Sequence, residues 1–263
     1  MKSVLFLSHQ WTGLDHPDPT LEQLRVVQRM LVRMMSGHGP TTAPEFARAT
    51  YLPSRTNITP EDWAAIIPDA YIWMDFFCVP QIGQHLDGDA NDMKLAIDSI
   101  PAYVARCSHF LAVVPTVRHN DLPGVTCDYG SWLERGWCRI EMWALMLSVH
   151  QNAAGKSTNV EPSAIIMKGG EASTRSRCTS HLTYYGSTHH GPTYYDSTCQ
   201  ASPFMCAPVW ISGRPPGRGT FTCCQRNHSM PDKNGNLRTI PCDKVALGPV
   251  MWAMLKARLE IDG

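Results

Sequence analysis

Four short apolar segments, separated by stretches with helical periodicity, constrain the fold of this chain more than any other feature. Short apolar runs bounded by polar residues are typical of buried strands, whereas apolar residues that recur every three or four positions indicate amphipathic helices. Strands that alternate with helices predict a parallel sheet with helices on both faces, because crossovers between parallel strands are right-handed. The predicted strands are residues 3–8, 71–77, 109–114 and 163–167, and the second is expected to be buried on both faces.

The helical segments carry start and stop signals. Asp18-Pro19 marks the start of the first helix and Gly37 its end, and Pro101 opens a second short helix because proline is tolerated in a first turn. Residues 37–60 contain four prolines and are predicted to form a connecting loop. The predicted helices are residues 21–35, 92–107, 132–149 and 243–259, the last of them interrupted at Gly248-Pro249.

The chain is long enough, at 263 residues, for one large domain with an extension. Its strands and helices up to residue 170 predict an α/β domain over residues 1–170. Residues 171–207 predict a basic, low-complexity loop or linker, because from position 172 to 230 the only acidic residue is Asp196. Residues 208–263 predict an irregular C-terminal extension that ends in an amphipathic helix.

Charge and hydropathy exclude several classes of function. Lys+Arg and Asp+Glu are both 23, so the formal net charge is zero and no net field attracts nucleic acid or an anionic membrane. No apolar run approaches the roughly 18 residues of a membrane span, and the apolar stretch at 4–7 is too short for a secretory signal. We therefore expect a cytoplasmic protein that binds neither nucleic acid nor membrane.

The ten cysteines include no Cys-x-x-Cys pair, and in a cytoplasmic chain of this size most are expected to be reduced. Cys223, Cys224, His228 and Cys242 have the chemistry of four zinc ligands. Adjacent cysteines chelate poorly, however, so the sequence favours no metal site and leaves metal binding by this set open.

Polar side chains follow three of the predicted strands. In an open parallel sheet, ligands bind beyond the carboxyl ends of the strands. This rule selects Ser8–Trp11, Asp75–Gln81 and the loop Pro115–Tyr129. The same residues could instead cap strands and helices, and the two interpretations carry about equal weight. Asp75 in particular is expected to accept backbone N–H bonds of the turn that follows it.

Glu141 is the only charged residue between Arg139 and His150, within an otherwise apolar helix. A carboxylate in such a helix either points to solvent or serves a purpose. Trp137 lies one turn earlier, which places an indole and a carboxylate on one helix face. Spacing alone favours a solvated Glu141.

Four segments occur in order along the chain: Val4–His9, Tyr71–Asp75, Ser108–Pro115 and Ser131–Glu141. Together they resemble the successive motifs of a Toll/interleukin-1 receptor (TIR) domain, and the resemblance covers roughly residues 3–167. The second and fourth also resemble the related fungal heterokaryon-incompatibility (HET) domains, whose Trp-x-Asp-x-x-Cys-x-x-Gln pattern matches Trp73, Asp75, Cys78 and Gln81.

The resemblance implies a flavodoxin-like sheet and an intracellular signalling function. Many TIR domains hydrolyse NAD at the nicotinamide–ribose bond, with a catalytic glutamate that falls on Glu141 and a tryptophan that falls on Trp137. NAD or a related nucleotide is then the substrate, no cofactor is required, and self-association is expected. The alternative is a catalytically silent TIR-type module for protein–protein interaction. The residues expected to bind substrate are Ser8, His9, Gln10, Trp11, Asp75 and Trp137.

Overall fold

The computed structural model describes residues 2–40, 58–79, 90–147, 150–151, 157–158, 163–167, 194–195, 215–231 and 235–262. Its strands are β1 (Val4–His9), β2 (Tyr71–Met74), β3 (His109–Val113), β4 (Val117–Arg118), β5 (Thr126–Cys127), β6 (His150–Gln151), β7 (Ser157–Thr158), β8 (Ser163–Met167), β9 (Tyr194–Tyr195), β10 (Ser229–Pro231) and β11 (Leu237–Thr239). Its helices are α1 (Glu22–Met35), α2 (Pro60–Ile66), α3 (Asp75–Cys78), α4 (Ala90–Asp98), α5 (Ile100–Arg106), α6 (Tyr129–Glu134), α7 (Gly136–Leu147), α8 (Thr222–Gln225) and α9 (Asp243–Asp262).

The protein has an α/β fold, as predicted, built on a parallel sheet packed with helices. Strand β1 lies between β2 and β3, and the sheet continues through β8 to β9 in the order β2-β1-β3-β8-β9. Neighbouring strands of this sheet are all parallel. The predicted fourth strand, residues 163–167, is confirmed with the same bounds.

Helices cover both faces of the sheet because side chains along a strand alternate between the faces. Phe6 of β1 is completely buried in a core formed with α5, α6, α7 and α9. Its neighbours Leu5 and Leu7 are buried on the opposite face, against α1 and α2. Leu5 to His9 of β1 are therefore all buried, and Val4 at the amino end is its only partly exposed residue.

The second strand differs from the prediction. Strand β2 is an edge strand in the described sheet, and Tyr71 and Ile72 are 60% and 45% exposed. It ends at Met74, where the chain enters the helical turn α3. The aromatic and β-branched composition of the segment indicated a strand correctly, but composition does not reveal whether a strand has one neighbour or two.

Two predicted helices also differ. The helix predicted over 132–149 is divided at Arg135, whose backbone is extended. The cause is tertiary: Gly136 donates its N–H to the Thr220 carbonyl, and Thr220 donates its own to the Glu134 carbonyl. The C-terminal helix, in contrast, continues through Pro249 from Asp243 to Asp262.

Helix α2 is absent from the sequence prediction, which assigned the segment up to residue 60 to a loop. A capping box begins it: the Thr59 hydroxyl accepts the Asp62 N–H at 3.2 Å, and the Asp62 carboxylate accepts the Thr59 N–H at 2.8 Å. Thr59, followed by Pro60 and by Asp62 at the third helical position, is a start signal that the sequence contained. The remainder of the predicted loop, residues 41–57, lies outside the described residues.

The predicted linker, residues 171–207, is described only at Tyr194–Tyr195, which pairs with β8 as β9. Part of the segment 208–263 packs on the core of the sheet, because Phe221, Leu247 and Val250 are buried in the same cluster as Phe6. The tightest of these contacts lies at Gly136, where a Cβ would overlap the Phe221 ring.

We therefore expect Gly136→Ala to lower the free energy of unfolding by about 1–3 kcal/mol, the usual cost of overpacking a core. Gly248→Ala is the control for adding a methyl group to a helical glycine, because apart from its chain neighbours nothing lies within 4 Å of a Cβ there. Pro249 follows it and disfavours a helical residue that carries a Cβ, so this variant reports a local backbone cost without a clash in the core. Urea unfolding of wild type and both variants checks this. A Gly136→Ala protein as stable as wild type would contradict the described packing.

Candidate functional site

The site is built around Ser8, the fifth residue of β1. Ser8 follows two positions after Phe6 and so faces the core that contains α6 and α7. The Trp132 indole N–H donates to Ser8 Oγ at 3.0 Å, and the Ser8 hydroxyl donates to Glu141 Oε2 at 2.5 Å. An indole N–H can only donate, so Ser8 Oγ is the acceptor in its hydrogen bond with Trp132. The serine hydroxyl proton is then donated to Glu141.

Glu141 is buried, with 7% of its surface exposed, and the prediction of a solvated glutamate is wrong. Burial raises the pKa of Glu141 from 4.5 to about 8, even though the hydrogen bond from Ser8 acts in the opposite direction. At neutral pH the carboxyl group is therefore mostly protonated. Spacing alone favoured a solvated side chain, but α7 is apolar on nearly every side and offers no polar face to solvent.

His9 faces the opposite side of the sheet and contacts two acceptors. Its Nε2 lies 2.8 Å from Asp75 Oδ1, and its Nδ1 lies 3.0 Å from Gln23 Oε1. The Gln23 amide is oriented by its own Nε2, which donates to the Gln10 carbonyl at 2.8 Å. Both ring nitrogens of His9 must therefore donate, which only the imidazolium form can do.

The electrostatic environment agrees with this assignment. Burial alone would lower the pKa of His9, but the charge and hydrogen bond of Asp75, the charge of Glu141 and the hydrogen bond to Gln23 together outweigh it, and the pKa is raised. Burial would raise the pKa of Asp75, yet the His9 charge and three hydrogen bonds outweigh it and the pKa is lowered. His9 and Asp75 thus form a charged pair beside the neutral Glu141.

Asp75 also stabilises the turn that begins α3. It accepts the Phe76 N–H at 2.7 Å and the Trp11 indole N–H at 3.1 Å. The prediction that Asp75 accepts a backbone N–H bond of the following turn is confirmed. Its carboxylate oxygens are occupied by His9, Trp11 and Phe76.

Gln10 and Trp137 have structural partners. The Gln10 amide donates to Ser131 Oγ at 2.8 Å and to the Asp128 carbonyl at 3.1 Å, at the capping box that begins α6. The Trp137 indole donates to Asp243 at 2.9 Å, which directs it toward the C-terminal helix. The structure therefore brings Ser8 and Glu141 together, and brings His9 and Trp11 to Asp75.

Comparisons with models of known protein families, with curated proteins and with solved structures found no match. In the part of the chain that the structure describes, no helix is both long and apolar enough to cross a membrane.

Aromatic side chains surround Asp75 at the carboxyl edge of the sheet. Trp11 meets Phe76 edge-on with ring centroids 6.0 Å apart, and His16 lies 5.0 Å from the same phenylalanine ring. The ring centroid of Phe77 lies 5.5 Å from that of Phe76, and Phe77 is 76% exposed. An exposed aromatic surface of this kind can stack on a planar base.

Sequence reasoning missed two residues of the site, Gln23 and Trp132. Gln23 is a polar residue on the same face of α1 as the buried Val26, Val27 and Met30. A polar side chain at an apolar position of a helix is a signal of a buried, hydrogen-bonded residue, and it was overlooked here. Trp132 carried no comparable signal, since its indole reaches Ser8 across 124 positions of sequence.

The raised pKa of Glu141 predicts how stability depends on pH. Between pH 4.5, near the ordinary pKa, and about 8, the folded protein holds a proton that the unfolded chain releases, so stability falls as pH rises. The slope for this group approaches about 1.4 kcal/mol per pH unit. In Glu141→Gln the group cannot ionise, so we expect a flatter profile and a variant more stable than wild type at pH 8–9.

Urea unfolding of wild type and Glu141→Gln from pH 5 to 9 measures the effect. His9 titrates in both proteins, but the Glu141 charge helps to raise its pKa, so the difference between the profiles reports Glu141 together with its coupling to His9. Parallel profiles would show that Glu141 is ionised in the folded protein and would contradict the assigned protonation state.

Proposed function

We propose that this protein cleaves the N-glycosidic bond of a nucleotide with a cationic base, and that NAD is the substrate. One observation carries the proposal: a buried glutamic acid, Glu141, held by Ser8 near the carboxyl end of strand β1. Carboxyl groups with strongly perturbed pKa values are concentrated at functional sites. The location agrees with the rule that ligands of open parallel sheets bind beyond the carboxyl ends of the strands.

The fold we propose is the flavodoxin-like fold of TIR domains. Its support is the strand order, in which the first strand lies between the second and third and the sheet then continues to β8 and β9. This is the doubly wound order 2-1-3-4-5 when the sheet strands are numbered along the chain. Ser8 belongs to the first of the four TIR-like segments and Glu141 to the last, and a hydrogen bond joins the two side chains.

The reaction needs one carboxylate and no general acid. The bond between the nicotinamide nitrogen and ribose C1′ breaks, and its electron pair neutralises the pyridinium, so nicotinamide leaves uncharged. Positive charge develops on the ribose, where the Glu141 carboxylate stabilises it as carboxylates do in glycosidases. Water then forms the new bond to C1′ and releases its proton to solvent.

Ionisation of Glu141 is coupled to substrate binding in this scheme. The carboxyl group is mostly neutral in the free protein, and a cationic pyridinium nearby lowers its pKa and favours the carboxylate. Ser8 stabilises the ionised form because it donates its hydroxyl proton to Oε2. Cys138, also near the site, is an unsuitable nucleophile because burial raises the pKa of its thiol well above 9.0.

His9 and Asp75 are positioning residues in this proposal. Their charges are paired, and their hydrogen bonds hold Trp11 and the start of α3. The substrate's base is recognised by the aromatic side chains at this edge, among which Phe77 is the most exposed. We assign them stacking on a nucleobase.

A second candidate is a catalytically silent module that self-associates. Two observations favour it: Glu141 is buried with a hydrogen-bond partner, and the edge strand β2 exposes Tyr71 and Ile72. An exposed apolar edge strand is a ready site for pairing with another chain. In this case the Ser8–Glu141 hydrogen bond has only a structural role.

The decisive variant is Glu141→Gln, which preserves the shape of the side chain and removes its charge. We expect nicotinamide release from NAD to fall by about 10²–10³-fold, the usual effect of losing one such electrostatic contact. Glu22→Gln is the matched control, because Glu22 is an exposed glutamate in helix α1 and should leave the rate unchanged.

Both variants and wild type are assayed at high protein concentration, with self-association measured on the same samples. Turnover that survives in Glu141→Gln rejects Glu141 as the catalytic residue. A wild-type protein that releases no nicotinamide but still self-associates favours the silent module.

The pH dependence of kcat/KM gives an independent prediction, because it reports ionisation in the free enzyme. We expect kcat/KM for NAD to rise about tenfold per pH unit below an inflection at about 8, where Glu141 ionises. The inflection in kcat should lie at lower pH, because bound cationic substrate favours the carboxylate. A profile that falls across this range would exclude a catalytic carboxylate at this position.

A further inference from the structure

A second cluster of reactive side chains lies in the C-terminal segment. Cys223, Cys224, His228 and Cys242 each present one ligand atom, and these four atoms lie within 4.8 Å of one another. We propose that these residues bind one zinc ion in a closed structural site. The proposal is independent of the NAD reaction, which makes no use of them.

The distances match tetrahedral zinc. Cys224 Sγ lies 3.9 Å from Cys223 Sγ, 3.9 Å from Cys242 Sγ and 3.6 Å from His228 Nε2. Zinc binds sulfur at about 2.3 Å and histidine nitrogen at about 2.0–2.1 Å, so tetrahedral ligands stand about 3.8 Å apart for two sulfurs and about 3.6 Å for sulfur and nitrogen. The three separations from Cys224 Sγ are therefore those of tetrahedral ligands, and the remaining pairs of ligand atoms lie within 4.8 Å.

Local backbone geometry overcomes the poor spacing of the motif. The short helix α8 holds Cys223 and Cys224, and the chain then turns through Asn227 and His228, both with positive φ. Strands β10 and β11 form a hairpin that brings the chain back, and the Ile240 N–H donates to the His228 carbonyl at 2.8 Å. Cys242 returns to the cluster two residues later.

The ligand set selects the class of metal. Three thiolates and one imidazole are soft and borderline donors, which favour zinc over magnesium or calcium. Four protein ligands leave no open position, as in structural zinc sites. The Asp243 N–H lies 3.4 Å from Cys223 Sγ and provides a hydrogen bond to that sulfur.

The site would attach the C-terminal segment to the α/β core. Two residues close to the ligands contact α7. The Phe221 ring fills the space beside Gly136, and the Asp243 carboxylate accepts the Trp137 indole N–H. Zinc binding energy in such a site is folding energy. Removal of zinc should therefore destabilise the packing around the helix that carries Glu141.

The first test is elemental analysis of full-length protein purified without chelator. We expect about one zinc per chain in wild type, near-complete loss in Cys242→Ser, and full retention in Cys78→Ser, whose cysteine is exposed and lies outside the cluster. Zinc retained in Cys242→Ser at the wild-type level would overturn the proposal.

A second measurement on wild type avoids a variant that fails to fold. After chelation, cobalt(II) is added; tetrahedral three-thiolate coordination gives intense visible bands and a thiolate charge-transfer band, and zinc should then displace both. Wild-type protein that contains no zinc and gives no such spectrum overturns the proposal. So does a Cys224–Cys242 disulfide found by mass spectrometry of unreduced protein, because oxidised sulfurs cannot bind the ion.

Discussion

The hydrogen bond from Ser8 to Glu141 joins strand β1 to helix α7, and the arrangement of the site depends on it. A carboxyl group buried without a partner costs several kcal/mol, so Glu141 could not lie in this core unless a donor met it. The core supplies Ser8, and Trp132 determines the direction in which the serine proton points. Because β1 is covered on both faces, this contact forms only when the sheet and its helices assemble together.

Successive side chains of β1 point to opposite faces of the sheet. Ser8 therefore meets Glu141 on one face, and the next residue, His9, meets Asp75 on the other. On one face Glu141 is neutral, and on the other His9 and Asp75 carry opposite charges. In the proposed reaction, an arriving cation favours ionisation of Glu141, whereas His9 and Asp75 are already charged and paired with each other. Burial raises the pKa of Glu141 and so disfavours its anionic form in the free protein. In the proposed reaction, a cationic substrate lowers this pKa and favours the carboxylate.

The C-terminal segment completes the core around α7. Thr220 pairs with the backbone at Arg135 and divides one predicted helix into two, and Phe221 packs where Gly136 leaves room. The proposed zinc site lies directly beside these contacts. Several described residues of 215–262 therefore belong to the same hydrophobic cluster as Phe6 of β1.

The sequence by itself determined the alternation of strands and helices, the bounds of β8, and the placement of Ser8 and Asp75 at one edge of the sheet. These properties are local, because periodicity and terminal signals act over a few residues. Only the tertiary structure decided the burial of Glu141, the charge on His9 and the assembly of Cys223, Cys224, His228 and Cys242. Each of these depends on partners that lie many positions apart along the chain, as Ser8 and Glu141 do across 133 positions, and no local pattern specifies which of them meet.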